Sequence, residues 1–287
     1  MYYVLVALSS ALVSVDFAFN NRYQKQEGTG LQSGLLFSAL NGLLAAIAFA
    51  FLQGFHLSFS LYSAMFALLI ALCGTSYMLL GFRIMKTGGM AVYALFLMTG
   101  GMLLPYLFGV IWLDEMFSAV RVVGLLLLVA AVVLMNRVEN SISGRQILLC
   151  AAVFVINGLV SILSKLHQIG AAHAAVNSMT FVSYMGAAKF LICGVMLLLL
   201  RKSHGGFVFP GKSSLLLILC SALIGGGSYV LQLIGAANLP ATVLYPLVTG
   251  GSIICSALFG LLFFGEKLSR RQIISVALCM AGTLFFL

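Results

Sequence analysis

The chain has 287 residues, of which 62% are hydrophobic and 7% charged, with a formal net charge of +9. A soluble domain carries about 25% charged residues, so this much apolar surface excludes a soluble globular protein and takes lipid as its solvent. The positive balance does not point to nucleic acid, because the Lys and Arg stand singly or in pairs between apolar runs, as in membrane proteins.

In chain order the apolar runs predict ten spans: 2–20, 32–52, 60–81, 88–112, 118–136, 146–169, 177–200, 213–236, 240–263 and 270–287. Helices are expected, since every backbone polar group inside lipid must be satisfied within its own segment and the runs are too continuously apolar for barrel strands. Polar, Gly or Pro punctuation marks the joints, as at Gln24–Gly30, Lys86–Gly89, Arg201–Gly206 and Asn238-Leu239-Pro240. The fold class is therefore all-α integral membrane. No cleavable leader is expected, because Met1-Tyr2-Tyr3 lacks a positive start. The six Cys lie in apolar segments or at a span entrance without Cys-x-x-Cys spacing, and read as small buried hydrophobes.

A second pattern overlies the spans. Residues 76–135 begin Ser76-Tyr77, pass Thr99-Gly100-Gly101, Gly109 and Glu115-Met-Phe-Ser118, and close in an apolar run. Residues 228–287 pass Ser228-Tyr229, Thr249-Gly250-Gly251, Gly260 and Glu266-Lys-Leu-Ser269 in the same order. The chain thus reads as two five-helix repeats, 1–136 and 146–287, joined by 137–145. Five is odd, so the repeats insert with opposite orientation. Charge supports this: twelve of the fifteen Lys and Arg follow odd-numbered spans, and Arg121 alone follows an even one. Cytoplasmic loops carry the Lys/Arg excess, which places the odd loops in the cytoplasm and both termini outside. Duplicated inverted halves in a very apolar chain imply secondary transport across the cytoplasmic membrane, with the site between the halves.

These features resemble the drug/metabolite transporter superfamily in its EamA-type branch. The likeness is carried by Phe263-Phe264-Gly265-Glu266-Lys267-Leu268-Ser269 with the tail 274–282, and by the first-half counterpart Trp112–Ser118 with Gly124. It implies two inverted five-helix bundles around a central cavity that moves small organic solutes. Members of that family are drawn with both termini in the cytoplasm, the reverse of what the charges here imply. Span 1 also resembles small multidrug transporters, which hold a first-helix carboxylate eleven residues before a Glu-Gly pair. Here Asp16 precedes Glu27-Gly28 by that spacing, and the second half offers Asn157 instead.

Polar residues within spans normally face the bundle interior, as interhelical glue or as a cavity lining. Three second-half spans carry such residues at helical spacing: Asn157, Ser161, Ser164/Lys165 and Gln168; Ser221, Gly225, Ser228 and Gln232; and Tyr245, Thr249, Ser252 and Ser256. Lys189 stands mid-span, too deep to snorkel, where a Lys costs about 2.5–3.5 kcal/mol. The expected substrate-binding set is Asp16, Asn157, Tyr184, Lys189, Tyr229, Gln232 and Tyr245. Lys165 lies near its helix end, and Glu115 and Glu266 are expected to complement the helix starts at Ser118 and Ser269.

A charged pair of this kind favours an amino acid, another zwitterion or an organic anion over a lipophilic cation, with a proton or counter-substrate for coupling. A multidrug exporter is the alternative within transport, and a homodimer is compatible with the chain. An integral-membrane enzyme would need clustered His or carboxylates, whereas His56, His167, His173 and His204 are scattered. A scaffold or receptor would show no cavity. No catalytic residue, metal ligand set, cofactor loop or nucleic-acid partner is read.

Overall fold

The computed structural model describes residues 1–88, 90–136, 144–170, 174–204, 209–264 and 269–287. Among them are ten helices and no strand: α1 (Tyr2–Glu27), α2 (Leu31–Leu52), α3 (Leu61–Gly88), α4 (Met90–Trp112), α5 (Ala119–Met135), α6 (Gly144–Ile169), α7 (Ser178–His204), α8 (Lys212–Asn238), α9 (Ala241–Phe264) and α10 (Arg270–Leu284). Gly89, most of the 137–145 connection with Arg137, His173, and the segments holding Gly205, Gly206, Gly265, Glu266, Lys267 and Leu268 lie outside the described residues. So do the side chains of Lys86, Arg201, Lys202, His204, Phe263 and Phe264.

Each expected span corresponds to a helix, but they are not equal. Eight are long and apolar enough to cross a membrane. The fifth helix of each half is shorter, with 17 residues in α5 and 15 in α10. At 1.5 Å per residue these reach about 26 and 23 Å, against a hydrocarbon core of about 30 Å. Both start on a serine whose side chain accepts a backbone N–H three residues on, Ser118 from Arg121 and Ser269 from Gln272. By contrast α1 runs beyond its expected end at 20, because the polar stretch 21–27 continues the helix into water. It stops at Gly28, whose φ of +82° suits glycine.

The packing repeats between halves. α1 lies on α8 and α9; its counterpart α6 lies on α3 and α4. α2 pairs with α7, α4 with α9 and α5 with α10, each helix with its own counterpart. Directions agree as well. Ser10 and Ser14 bond to Val248 and Ser252, so α1 runs parallel to α9. Asn157 and Ser161 bond to Leu97 and Gly101, so α6 runs parallel to α4.

Two glycine pairs are reciprocal. A Cβ on Gly42 would meet the Gly186 carbonyl oxygen at 2.7 Å, and one on Gly186 would meet that of Gly42. Gly124 and Gly282 face each other's carbonyls likewise, at 2.9 and 3.0 Å. Such reciprocity marks a two-fold axis. Counterparts five helices apart in an up-and-down chain point in opposite directions, so that axis lies in the membrane plane.

Small residues let these backbones approach, and buried hydroxyls bind them. Ser9 and Ser228 exchange hydrogen bonds between α1 and α8, and Ser275 of α10 donates to the Ala131 carbonyl of α5. Leu, Phe and Ile side chains such as Phe51, Leu126, Leu198 and Leu262 remain exposed on the outer surface, where lipid covers them.

The α2–α7 crossing generates a prediction. Gly186→Val should lower the melting temperature of the detergent-solubilised protein by several degrees, since overpacking costs about 1–3 kcal/mol. Gly194→Ala, whose Cβ enters open space, should leave it unchanged.

Candidate functional site

A cavity of about 960 Å³ lies between the helices. It opens beside the exposed turn residues Gly28 and Thr29, between the ends of α1 and α3 and the starts of α2 and α4. That face also carries Arg22, Lys25, Arg83, Arg145, Lys212, Arg270 and Arg271, and is termed the basic face below. Phe37, Tyr77, Phe82 and Tyr93 line the entry. Ile70, Val160, Val182 and Met185 line the wall towards the opposite face.

Four polar side chains from four helices meet in the cavity wall. Lys189 of α7 donates through Nζ to Asn41 Oδ1 of α2 at 3.3 Å. Asn41 Nδ2 donates to Ser221 Oγ of α8 at 3.2 Å. The Ser221 hydroxyl donates to Asp16 Oδ1 of α1 at 2.5 Å. Asp16 and Lys189 are thus joined through two neutral groups. Gly225, one turn along α8 from Ser221, makes room for the carboxylate: a Cβ there would sit 3.0 Å from Asp16 Cγ.

Of the seven residues expected from sequence, Asp16, Lys189 and Tyr229 line this cavity. Tyr229 also hydrogen-bonds Ser164 Oγ at 2.6 Å. The other four stand outside its lining. Asn157 donates to the Leu97 carbonyl at 2.7 Å, and Tyr245 to that of Ser161, so both tie helices together. Gln232 reaches back to Ser228 on its own helix at 3.4 Å. Tyr184 turns to the opposite face, where it donates to the Ser58 carbonyl at 2.9 Å. Asn41 was not in the expected set. The available signal was Asn41 one turn after Ser38 in an otherwise apolar run, and both line the cavity.

The opposite face is closed by bonds between the two halves. Gln53 Oε1 accepts from Asn177 Nδ2 and Thr180 Oγ1, each at 2.9 Å. Tyr62 donates to the Leu166 carbonyl at 3.2 Å. His167, fully buried, bonds Ser63 Oγ at 2.9 Å and stacks on Phe181 with ring centroids 3.6 Å apart.

Two further charges on that face are structural. Lys165 is 6% exposed, and its Nζ donates to the Ala236 and Leu239 carbonyls at 2.7 Å, at the C-terminus of α8. Glu115 accepts the Ala241 and Thr242 N–H groups at 2.6 and 2.8 Å, at the N-terminus of α9. The reading of Glu115 as serving the helix start at Ser118 is therefore corrected: its carboxylate crosses to the other half and caps α9. Together the two charges fix the α8–α9 turn at Pro240.

A protein-family model described as the EamA-like transporter family matches residues 144–287. A solved structure described only as "Crystal structure of protein" is similar over 99% of this chain and 95% of its own, with a TM-score of 0.74 and 17% identity; that likeness concerns the fold alone. No curated protein sequence matches the chain.

Glu115→Ala would leave two helix-start amides unpaired in a buried setting, each costing about 1–3 kcal/mol. It should therefore lower the melting temperature clearly, and Lys165→Met should do the same by orphaning two carbonyls. Neither should change which solutes bind, as measured by thermal shift in the variants.

Proposed function

The chain belongs to the EamA-like transporter family, and we propose that it carries a small zwitterionic or anionic organic solute, such as an amino acid, across the cytoplasmic membrane by alternating access. The observation that carries this reading is the split pair of charges in a cavity open to one face. Lys189 offers a positive charge to a carboxylate, and Asp16 offers a negative one to an amine or a proton. Neutral groups hold them apart, so neither is spent on the other. A fixed ammonium in the wall disfavours lipophilic cations, which sets this reading above a multidrug exporter.

Alternating access follows from the frame. Taking 1–136 and 146–287 as the two halves, the matched pairing of α2 with α7, α4 with α9 and α5 with α10 supports an equivalent arrangement on the other face. In the described state the basic face is open and the opposite face is held by Gln53, Tyr62, Ser63 and Glu115. Rocking the halves about the Gly42–Gly186 and Gly124–Gly282 crossings would exchange these roles. The basic face is cytoplasmic by the distribution of Lys and Arg, so the cavity faces the cytoplasm and both ends of the chain face outward. A reporter fused after Leu287 should accordingly read the non-cytoplasmic side; a cytoplasmic signal would reverse the assignment.

The functional test is thermal stabilisation of purified protein across a panel of amino acids, organic acids and lipophilic cations. A solute at 100 times its dissociation constant contributes about 2.7 kcal/mol. Amino acids or organic anions should raise the melting temperature, and Lys189→Met and Asp16→Asn should abolish that rise while the protein still inserts and melts cooperatively. Stabilisation by lipophilic cations alone, or an undiminished response in Lys189→Met, would overturn the reading.

A further inference from the structure

We infer that Asn41, with Ser221, is a positioning residue that stands in for solute between Lys189 and Asp16 when the cavity is empty, and so allows the unloaded protein to turn to its opposite face. The inference rests on the alternating-access reading above.

The chemistry of the bridge is directional. A Lys ammonium only donates and an ionised carboxylate only accepts. Between them stand a carboxamide, with an acceptor at one end and a donor at the other, and a hydroxyl, which does both. Lys189 therefore faces Oδ1 of Asn41, Nδ2 of Asn41 faces Ser221, and the Ser221 proton goes to Asp16. The Asn41 carbonyl occupies the position on Lys189 that a solute carboxylate would take. Each charge then has a partner in the absence of solute.

That matters most when the opposite face opens. α7 runs from the sealed face towards the basic face, and Lys189 lies three residues beyond Gly186, about 4.5 Å further along it. Water entering from the sealed face would meet Ile70, Val160, Val182 and Met185 before reaching the charges. Hydration there is poor, and an unpaired buried charge is strongly disfavoured. Solute compensates the pair in the loaded protein; in the empty protein Asn41 and Ser221 are the groups placed to do so.

The test reads opening of the sealed face in ligand-free protein in lipid nanodiscs, by hydrogen exchange. The reporters are the amides of Val176 and Thr180, which donate to Ser63 Oγ at 3.0 Å and Asn177 Oδ1 at 2.9 Å. Asn41→Leu fills the same space without hydrogen bonds and should slow their exchange about tenfold, the equivalent of one charged hydrogen bond lost. Ser221→Ala breaks the bridge at its other end and should act in the same direction. In an Asp16→Asn/Lys189→Met background there are no charges to bridge, and both substitutions should change exchange by no more than about twofold. Equal slowing in the two backgrounds would reduce Asn41 to a packing residue and overturn the inference, as would unaltered exchange in the charged protein. Because no solute is used, this outcome is independent of whether the solute panel succeeds.

Discussion

Lipid offers no hydrogen-bond partner, and nearly every polar feature of this protein is arranged around that fact. Lys165 and Glu115 turn to the ends of α8 and α9, where orphan carbonyls and amides need charges as much as the charges need them. Serines of α1 bond to the backbones of α8 and α9. Among the described residues the buried side-chain atoms left without a partner are Tyr106 Oη and Thr242 Oγ1. The bridge from Lys189 to Asp16 solves the same problem, but beside an open cavity, where on the proposed reading a solute group would replace an internal partner.

The symmetry of the frame and the asymmetry of the site belong together. The reciprocal glycines pair Gly42 with Gly186, so Ala45 is the counterpart of Lys189 and Met185 that of Asn41. Ala45 is buried in an apolar cluster that Met185 packs against, and both also border the cavity. The repeat thus supplies two equivalent walls, and charge is lodged on one of them. In the proposed cycle a two-fold frame permits two states related by exchange of faces, which the one-sided charges would make unequal and the neutral bridge would bring closer.

The order of the helices was legible in the sequence because lipid forces long apolar runs and short polar joints; what went unread is that α1, α3 and α7 continue through their polar joints to Glu27, Gly88 and His204, and that α10 stops at Leu284. The repeat was legible through Thr-Gly-Gly and Glu-x-x-Ser anchors, which recur because they form close crossings and capped starts. Asp16 and Lys189 were legible as charges where charges are costly. Asn157, Gln232 and Tyr245 were read towards the cavity because their spacing gives a polar helix face. Spacing does not say whether such a face meets a void or another helix: Asn157 and Tyr245 meet other helices, and Gln232 turns back to Ser228 on its own. Tyr184 lies near a helix start, and the fold carries it to the Ser58 carbonyl on the closed face. Asn41 shows the converse: with Ser38 one turn before it a polar spacing was present, but only tertiary packing sets Asn41 between two charges. Glu115 carried the family likeness, yet its partners are 126 and 127 residues away, a distance no local pattern spans.

The most direct test of the account is a cryo-electron microscopy map of the protein bound to a solute that stabilises it. The account predicts density for that solute in the cavity, within hydrogen-bond distance of both Lys189 Nζ and the Asp16 carboxylate, with the Asn41 carbonyl displaced from the ammonium. Solute density beside Gln232 and Tyr245 instead, or acyl-chain density filling the cavity while Lys189 stays on Asn41, would contradict it.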